Sequence, residues 1–354
     1  MILLFFLVSE CALCGESARE GARYCASCGT PIRDAEEAER DAGAAIERDP
    51  RNAEAWAKRA RARAARGDLA AARLDADRAL ELDGFRASFW LDRGRIHLLA
   101  AQEEVDLRAA IEDFAQALRL DPKSTRARAS RADALIRLAD LRGENGVPQR
   151  NAALLFLQEA LDLDPADVGL WLRLADLRIL RGEFAEATEA ARRALAIRKT
   201  APAHLVRARA RAAQRRFAEA LEDANEAVRL APESAEARLA RGRLLISLGR
   251  FSDAVAEYSE VLHRRRDHAD ALVGRGRARL AGAEPLLAID DLSRALELRP
   301  NDGDALEARG AAYFALRRYD PAIADWTRAI ELRPPLRARL APLRDEARRK
   351  RGEP

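Results

Sequence analysis

Five similar segments decide the fold predicted for this chain: ALRLDP (Ala117–Pro122), ALDLDP (Ala160–Pro165), AVRLAP (Ala227–Pro232), ALELRP (Ala295–Pro300) and AIELRP (Ala329–Pro334). Each joins an apolar, helix-forming run to a proline, and proline ends a helix because it lacks a backbone N–H. The last two segments lie 34 residues apart. A repeat of this length is typical of a stacked solenoid, in which each unit covers the apolar face of the next and leaves a long surface for binding.

The composition fits a helical repeat protein. The chain has 354 residues, of which 48% are hydrophobic and 5% aromatic, and Ala, Leu, Arg and Glu dominate it. These four residue types are all compatible with helices. The 62 Lys and Arg residues against 58 Asp and Glu leave a net charge of +4, so the surface is mixed in charge rather than basic. Such a balance does not by itself indicate nucleic-acid binding.

Eight blocks align over residues 53–336, beginning at residues 53, 87, 125, 168, 201, 235, 269 and 303. Most have Ala or Gly at position 8, Ala at positions 20 and 27, and several have Pro at position 32. In these features they resemble tetratricopeptide repeats (TPRs). The resemblance implies an all-α, right-handed superhelix of helix-turn-helix repeats, with small residues where helix A and helix B of one repeat meet. It also implies a concave surface that binds protein segments.

The segments on either side complete the predicted organisation. Residues 33–52 are expected to form a linking helix, equivalent to half a repeat. Residues 337–354 are expected to form a polar capping helix and tail, with Leu340 and Leu343 facing inward, because a solenoid needs a cap on its last apolar face. Residues 11–32 are expected to form a separate small module, and residues 1–10 an apolar tip.

All four cysteines lie in the small module, as CALCG and CASCG; they are Cys11, Cys14, Cys25 and Cys28. Two CxxC pairs across a short spacer are typical of a four-cysteine zinc site, and four thiolates leave no open coordination position. The module resembles the short zinc ribbon at the N-terminus of many bacterial proteins, which implies a structural Zn²⁺. Two disulfides are the alternative, and they would require an oxidising compartment.

The apolar tip begins with MILLFFLV at Met1–Val8. It is far shorter than the about 20 residues that span a bilayer. No basic segment precedes it and no small-residue cleavage site follows, so a signal peptide is not expected. Three interpretations remain: a mis-assigned start codon, a short strand that covers the zinc module, or a tip that touches a membrane. We expect a cytoplasmic protein.

An arginine occupies position 7 in seven of the eight repeats, and an acidic residue occupies position 23 in six of those seven. The pairs are Arg59/Asp75, Arg93/Asp113, Arg207/Asp223, Arg241/Glu257, Arg275/Asp291 and Arg309/Asp325. In the fourth repeat both charges are absent, since the residues are Leu174 and Ala190. This pattern predicts partly buried ion pairs within the repeats, because a planar guanidinium matches a carboxylate. In the third repeat Arg131 stands opposite Phe156.

Position 9 is the candidate binding position, because the resemblance places it on the concave face of helix A. Arginine occurs there in five repeats, as Arg61, Arg95, Arg209, Arg243 and Arg277, while the third and fourth repeats have Asp133 and Asp176. Arg209, Arg243 and Arg277 are here called the arginine ladder. It is predicted to bind an acidic peptide or a C-terminal carboxylate. The alternative is internal neutralisation by the acids at position 2 of the following repeats, which are Glu236, Asp270 and Asp304.

Two repeats are longer than the others. About four residues are inserted near Ala101–Val105 and about nine near Asp140–Arg150, both between helix A and helix B. Loops often contain binding residues, so these insertions are expected to be loops on one edge of the solenoid, with a functional role or simply tolerated.

The sequence contains no GxxxxGK[ST], HExxH or GxSxG motif, and none of its four histidines pairs with a Cys, Ser or carboxylate at catalytic spacing. We therefore expect a non-enzymatic, bacterial scaffold that binds a protein or peptide. The alternative is a nucleic-acid or ribonucleoprotein factor that uses the zinc ribbon and the arginines, and a membrane-complex scaffold is a third possibility. The TPR proteins that bind chaperone C-termini have Lys at position 5 and Asn at position 9 of their first repeat. Ala57 and Arg61 stand there in this chain, so that function is not expected.

Overall fold

The computed structural model describes residues 35–352, and these residues form eighteen α-helices and no β-strand. The helices are α1 (Ala35–Arg48), α2 (Ala53–Ala65), α3 (Leu69–Leu82), α4 (Ala87–Ala100), α5 (Glu104–Leu120), α6 (Thr125–Arg142), α7 (Val147–Leu163), α8 (Val168–Leu180), α9 (Phe184–Ile197), α10 (Ala201–Ala213), α11 (Phe217–Leu230), α12 (Ala235–Ser247), α13 (Phe251–Arg264), α14 (Ala269–Ala281), α15 (Pro285–Leu298), α16 (Gly303–Ala315), α17 (Tyr319–Leu332) and α18 (Arg337–Arg351). Short 3-10 segments at Gly143–Gly146 and Pro334–Leu336 precede α7 and α18. The four cysteines and the apolar segment Met1–Val8 lie outside the described residues.

The chain divides into two compact units, Met1–Gly182 and Glu183–Pro354. In the first unit α1 packs on α2, and the pairs α2/α3, α4/α5 and α6/α7 pack together. In the second unit the same holds for α10/α11, α12/α13, α14/α15 and α16/α17, and α18 packs on α17. The A helices of successive repeats also contact each other; for example, α12 contacts α14. The predicted all-α solenoid of helix pairs is confirmed.

Helix α18 lies against the last repeat of the second unit. Its Leu340 and Ala347 are fully buried there, in the same apolar cluster as Trp326. Leu343, which the sequence pattern also placed inward, is 38% exposed. Leu340 and Ala347 are two turns apart and share a helix face, whereas Leu343 is rotated about 40–60° away from them, toward the edge of that face.

Capping and one recurrent backbone conformation fix the ends of the A helices. Six of the eight begin at a side-chain cap; in α12 the hydroxyl of Ser234 accepts a hydrogen bond from the N–H of Ala237 at 3.2 Å. This satisfies one of the N–H groups that every helix start leaves without a partner. The turn into helix B has a left-handed residue at position 15. That residue is glycine in some repeats, but Arg215, Ala283 and Arg317 take the same conformation, with φ of 62°, 63° and 59°.

In four repeats glycine occupies position 8 and a large side chain from helix B lies against it. The pairs are Gly94 with Phe114, Gly242 with Tyr258, Gly276 with Leu292, and Gly310 with Trp326. A Cβ on any of these glycines would come within 2.6–2.7 Å of the facing side chain. The small residue is therefore needed in these four repeats so that the facing side chain can pack against helix A.

The inserted residues of the second and third repeats are not the long loops that the sequence predicted. They lengthen helices instead: α5 and α7 have 17 residues and α6 has 18, against 13 or 14 in the other A and B helices. The guanidinium of Arg137 donates to the carbonyl oxygen of Ala101 at 3.0 Å, and Arg142 pairs with Glu104. These contacts join the extended ends of the helices to one another.

Candidate functional site

The six arginine–carboxylate pairs predicted between positions 7 and 23 are confirmed. In the first repeat, Nε and Nη2 of Arg59 donate to the two oxygens of Asp75 at 2.8 and 2.7 Å. The aspartates of these pairs are buried, and the hydrogen bond to Asp75 raises the pKa of Arg59. The arginines at position 7 therefore hold helix A to helix B and are part of the scaffold.

These arginines make a third contact that the sequence pattern did not reveal. Nη1 of Arg275 donates to the hydroxyl of Ser259 at 3.1 Å, and Nη1 of Arg309 donates to that of Ser293 at 3.2 Å. The acceptor lies on helix B of the preceding repeat, sixteen residues before the arginine, while the carboxylate lies sixteen residues after it. One guanidinium thus joins three helices. The signal was present in the sequence, since position 25 is polar at each of these junctions.

Arg131 in the third repeat is the exception, as the sequence indicated. Its guanidinium carbon lies 4.5 Å from the centre of the Phe156 ring, which is a cation–π geometry. Burial lowers the pKa of Arg131, because no carboxylate stands opposite to favour the charged form.

The position 9 arginines of the first unit make ion pairs or hydrogen bonds with neighbouring residues. Nη1 of Arg61 lies 3.0 Å from Asp92 and its Nη2 lies 3.2 Å from Glu54, and the side chain is only 11% exposed. Arg95 is 6% exposed, and its Nε donates to the hydroxyl of Ser130 at 3.4 Å. Arg61 is therefore neutralised by acids of the chain, and the burial of Arg95 keeps it away from a ligand on the surface.

Asp133 follows at position 9 in the third repeat. Burial raises the pKa of its carboxyl group, although Arg173 at 3.2 Å and the charge of Arg95 act in the opposite direction. The acid therefore belongs to the same charge-compensated surface as Arg95.

The arginine ladder lies in the second unit, and its three side chains are exposed on α10, α12 and α14. Arg209 has an interaction within the chain. The guanidinium groups of Arg243 and Arg277, in contrast, make no hydrogen bond or ion pair with any residue between 35 and 352. Because α12 and α14 touch, their axes are about 8–10 Å apart, and the two charges belong to adjacent helices.

Two of the three acids that could neutralise the ladder are bound to other arginines. Asp270 accepts a hydrogen bond from Nη2 of Arg299 at 2.6 Å, and Asp304 lies 2.8 Å from Nη1 of Arg333. Glu236 is exposed. Arg299 and Arg333 stand directly before the prolines that end ALELRP and AIELRP. The arginines that compete with the ladder for these acids therefore lie in the same segments that predict the fold.

A buried tyrosine adjoins Arg243 and Arg277. Tyr258 of α13 is 1% exposed, and its hydroxyl has no hydrogen-bond partner among the described residues. Its ring lies against two glycines, where a Cβ would be 2.7 Å away at Gly242 of α12 and 2.4 Å away at Gly274 of α14. Burial raises the pKa of Tyr258 to about 12, while the positive charges of Arg243 and Arg277 act to lower it. Sequence reasoning treated position 24 only as a packing position and missed the hydroxyl.

Two models of the tetratricopeptide repeat match the sequence, one at residues 211–280 and the other at residues 32–87 and 273–337. The chain belongs to the tetratricopeptide repeat family. Its helix pairs, small-residue contacts and proline stops are those of TPRs, and the fold is that of a protein–protein interaction scaffold. No curated protein sequence matches the chain.

Several solved TPR-like structures share the fold. A tetratricopeptide repeat protein from Parabacteroides merdae aligns with a TM-score of 0.58 and 18% identity, over 73% of this chain and 98% of that one. The Cut9–Hcn1 heterotetramer of the APC/C aligns with a TM-score of 0.58 and 16% identity, over 88% of this chain but 58% of that one. Yeast Tom70 gives 0.53 and 13%, over 90% and 86%. At these identities the likeness is one of fold alone.

No helix within residues 35–352 combines the length and the apolar character that crossing a bilayer demands. Over the same range no three His, Cys, Asp or Glu side chains are grouped so that they could hold a metal ion. The predicted zinc ligands Cys11, Cys14, Cys25 and Cys28 are outside that range.

Proposed function

We propose that this chain is a non-enzymatic scaffold whose second unit binds an acidic protein segment on the surface of the arginine ladder. TPR proteins in general are scaffolds without catalytic activity. One observation supports the acidic character of the partner: Arg243 and Arg277 are exposed without a counter-charge, while Asp270 and Asp304 are bound elsewhere. Arginine binds carboxylates through paired N–H donors, which makes an acidic segment the matching ligand.

The spacing of the helices indicates how the acidic residues of the partner are arranged. Adjacent packed helices lie about 8–10 Å apart. A segment in the polyproline II conformation advances about 3.1 Å per residue and has three residues per turn, so residues three apart lie on one face, about 9 Å apart. A segment in which every third residue is acidic would therefore present one carboxylate to each arginine of the ladder.

A peptide-binding measurement tests this proposal. The probe is a fluorescent Gly/Ser peptide that contains three Glu residues, each three positions from the next. The wild-type chain should bind it, and the charge reversal Arg243→Glu/Arg277→Glu should abolish binding. The matched control is Arg265→Glu/Arg266→Glu, which makes the same change in net charge at exposed residues in the turn between α13 and α14. Equal loss in both variants would show that net charge alone matters and would contradict the proposal.

Nucleic acid provides a competing outcome in the same experiment. If duplex DNA or single-stranded RNA displaced the peptide and bound with a steep dependence on salt, the partner would be a polyanion with many phosphates rather than a protein segment. The near-balance of positive and negative residues argues for the protein segment.

The N-terminal module is proposed to be a structural zinc ribbon. Four cysteine thiolates fit Zn²⁺ because they complete a tetrahedral site of soft donors. Cys11, Cys14, Cys25 and Cys28 would hold the metal, which would stabilise the module and would take no part in a reaction. Elemental analysis of the purified chain should give one zinc per chain, and Cys25→Ser/Cys28→Ser should remove it. Disulfides in a zinc-free protein would support the alternative instead.

A further inference from the structure

We infer that Arg243, Arg277 and the hydroxyl of Tyr258 together form a carboxylate-binding site on the second unit. The inference rests on the proposed function, and it names the group that the ladder recognises and a residue that takes part in recognition. All three groups offer hydrogen-bond donors, and two of them are positively charged. Such a set is complementary to an anion with several acceptor oxygens.

The Tyr258 hydroxyl is the observation that distinguishes this site from a simple pair of surface charges. The side chain is 1% exposed, yet its hydroxyl has no partner within the described residues. Buried polar groups in native proteins nearly always have a hydrogen-bond partner, and each exception asks for an explanation. Phenylalanine would fill the same space without the unfavourable burial of a polar atom. A ligand oxygen that accepts from the hydroxyl would supply the missing partner.

The packing of the ring indicates where the hydroxyl is directed. The close contacts at Gly242 and Gly274 both include Cζ, which is the ring atom that bears the hydroxyl. The hydroxyl end of the ring therefore lies where α12 and α14 face each other. Arg243 is the next residue after Gly242, and Arg277 follows Gly274 by about one helical turn, on the same side of α14. The charges of Arg243 and Arg277 both act on this hydroxyl, so the three donors belong to the same junction between α12 and α14.

The contact of one ring with two glycines is particular to the junction of the sixth and seventh repeats. Gly274 is at position 6 of its repeat, and the other repeats have Lys58, Asp92, Ser130, Arg173, Val206, Ala240 and Ala308 there. A side chain at residue 274 would collide with the Tyr258 ring, since even a Cβ would be 2.4 Å from it. Position 24 is Ala, Leu, Phe or Trp in the other repeats, so Tyr258 is also the one hydroxyl at that position.

The ligand is a carboxylate of the bound segment, either an Asp or Glu side chain or the C-terminal carboxylate. Both sources present the same two acceptor oxygens to the guanidinium groups and the hydroxyl. Two forms of the probe peptide distinguish them: the Glu-containing Gly/Ser peptide with an amidated C-terminus, and a Gly/Ser peptide without Glu but with a free C-terminus.

The decisive variant is Tyr258→Phe, which removes only the hydroxyl. Because that hydroxyl has no partner among residues 35–352, the thermal unfolding midpoint should not fall. Affinity for the peptide that supplies the carboxylate should fall roughly tenfold, as expected when a hydrogen bond to a charged group is lost. In wild-type protein containing isotope-labelled tyrosine, the NMR signal of the Tyr258 ring carbon that bears the hydroxyl should shift on addition of the peptide. Tyr258→Phe identifies that signal by removing it.

The outcomes separate the two proposals. If Arg243→Glu/Arg277→Glu abolishes binding while Tyr258→Phe binds as tightly as wild type and the tyrosine signal does not shift, the inferred site is wrong and the acidic-segment scaffold stands. If wild type binds neither peptide, or if the arginine reversal has no effect, the proposed function fails and the site fails with it. Tenfold weakening by Tyr258→Phe with an unchanged unfolding midpoint supports both.

Discussion

Asp291 on α15 is held by two arginines of α14. Arg275 donates to it through Nε and Nη2 at 2.9 and 2.7 Å, and Nη1 of Arg279 lies 2.8 Å away. The carboxylate is almost inaccessible to water, whereas the arginines are about one-fifth exposed. We expect Asp291→Ala to lower the free energy of unfolding by about 2–3 kcal/mol, because two partly buried guanidinium groups lose their counter-charge. Urea unfolding measures this difference.

The neighbouring residue provides the control for that measurement. Asp290 is exposed on the same helix. Asp290→Ala makes the same change in charge and helix propensity, and its effect should stay within about 0.5 kcal/mol, as is usual for surface substitutions. Similar losses for the two variants would mean that the stabilisation comes from general charge balance and not from the buried pair.

Substitution by alanine should change the stability in opposite directions at two helical glycines. A Cβ at Gly274 would collide with the Tyr258 ring, whereas a Cβ at Gly43 in α1 would have nothing within 4 Å. Gly43→Ala should stabilise its unit by up to about 1 kcal/mol, through helix propensity alone. Gly274→Ala should destabilise by about 1–3 kcal/mol, because the ring must move. Thermal unfolding of both variants tests the pair, and stabilisation by Gly274→Ala would show that the ring is not fixed between α12 and α14.

The turn after α14 contains a residue that is less suited to its conformation than glycine. Ala283 has φ of 63°, a left-handed conformation that an L side chain adopts at a cost of about 1 kcal/mol. Ala283→Gly should therefore raise the free energy of unfolding by several tenths to about 1 kcal/mol. Ala281→Gly, two residues earlier and still in the helix, should lower it by about 0.5–1 kcal/mol. Destabilisation by both would indicate that chain entropy outweighs the backbone strain.

The repeats and their internal ion pairs could be predicted because each repeat acts as a control for the others. Arg309 and Asp325 lie sixteen residues apart, as Arg59 and Asp75 do, and a rigid helix pair turns that constant spacing into a constant contact. Where Arg131 lacks an acid, the structure replaces the ion pair with stacking on Phe156. Sequence periodicity thus predicts contacts that depend only on geometry within one repeat.

Contacts that depend on competition between neighbours were harder to predict. Asp270 could have paired with Arg243 or with Arg299, and the spacing along the helices permits both. The structure selects Arg299, at 2.6 Å, and this leaves Arg243 exposed. The buried hydroxyl of Tyr258 was missed for a related reason. Its environment depends on Gly242 and Gly274, which lie in two different repeats.

Tyr258 should keep its phenolic proton at a pH where an unburied tyrosine has lost it. Burial raises its pKa from 10.0 to about 12. The folded state then holds this proton more tightly than the unfolded state does. Its contribution to stability is therefore fully present below about pH 10 and is lost as the pH rises toward 12. The difference in tyrosinate absorbance between wild type and Tyr258→Phe isolates this titration from those of the other three tyrosines.

Removing the nearby positive charges should shift the pKa of Tyr258 in a defined direction. Arg243 and Arg277 favour the tyrosinate, so Arg243→Ala/Arg277→Ala should raise the pKa of Tyr258 further and reduce the tyrosinate signal at a given alkaline pH. Arg265→Ala/Arg266→Ala, in the turn before α14, should change it much less. A Tyr258 titration that is unaffected by the first pair would mean that the two guanidinium groups are too far from the hydroxyl to share a ligand. The converse result would place the two guanidinium groups within about 10 Å of the hydroxyl, which the shared site requires, because electrostatic effects of this kind fade over about one Debye length at roughly 0.1 M salt.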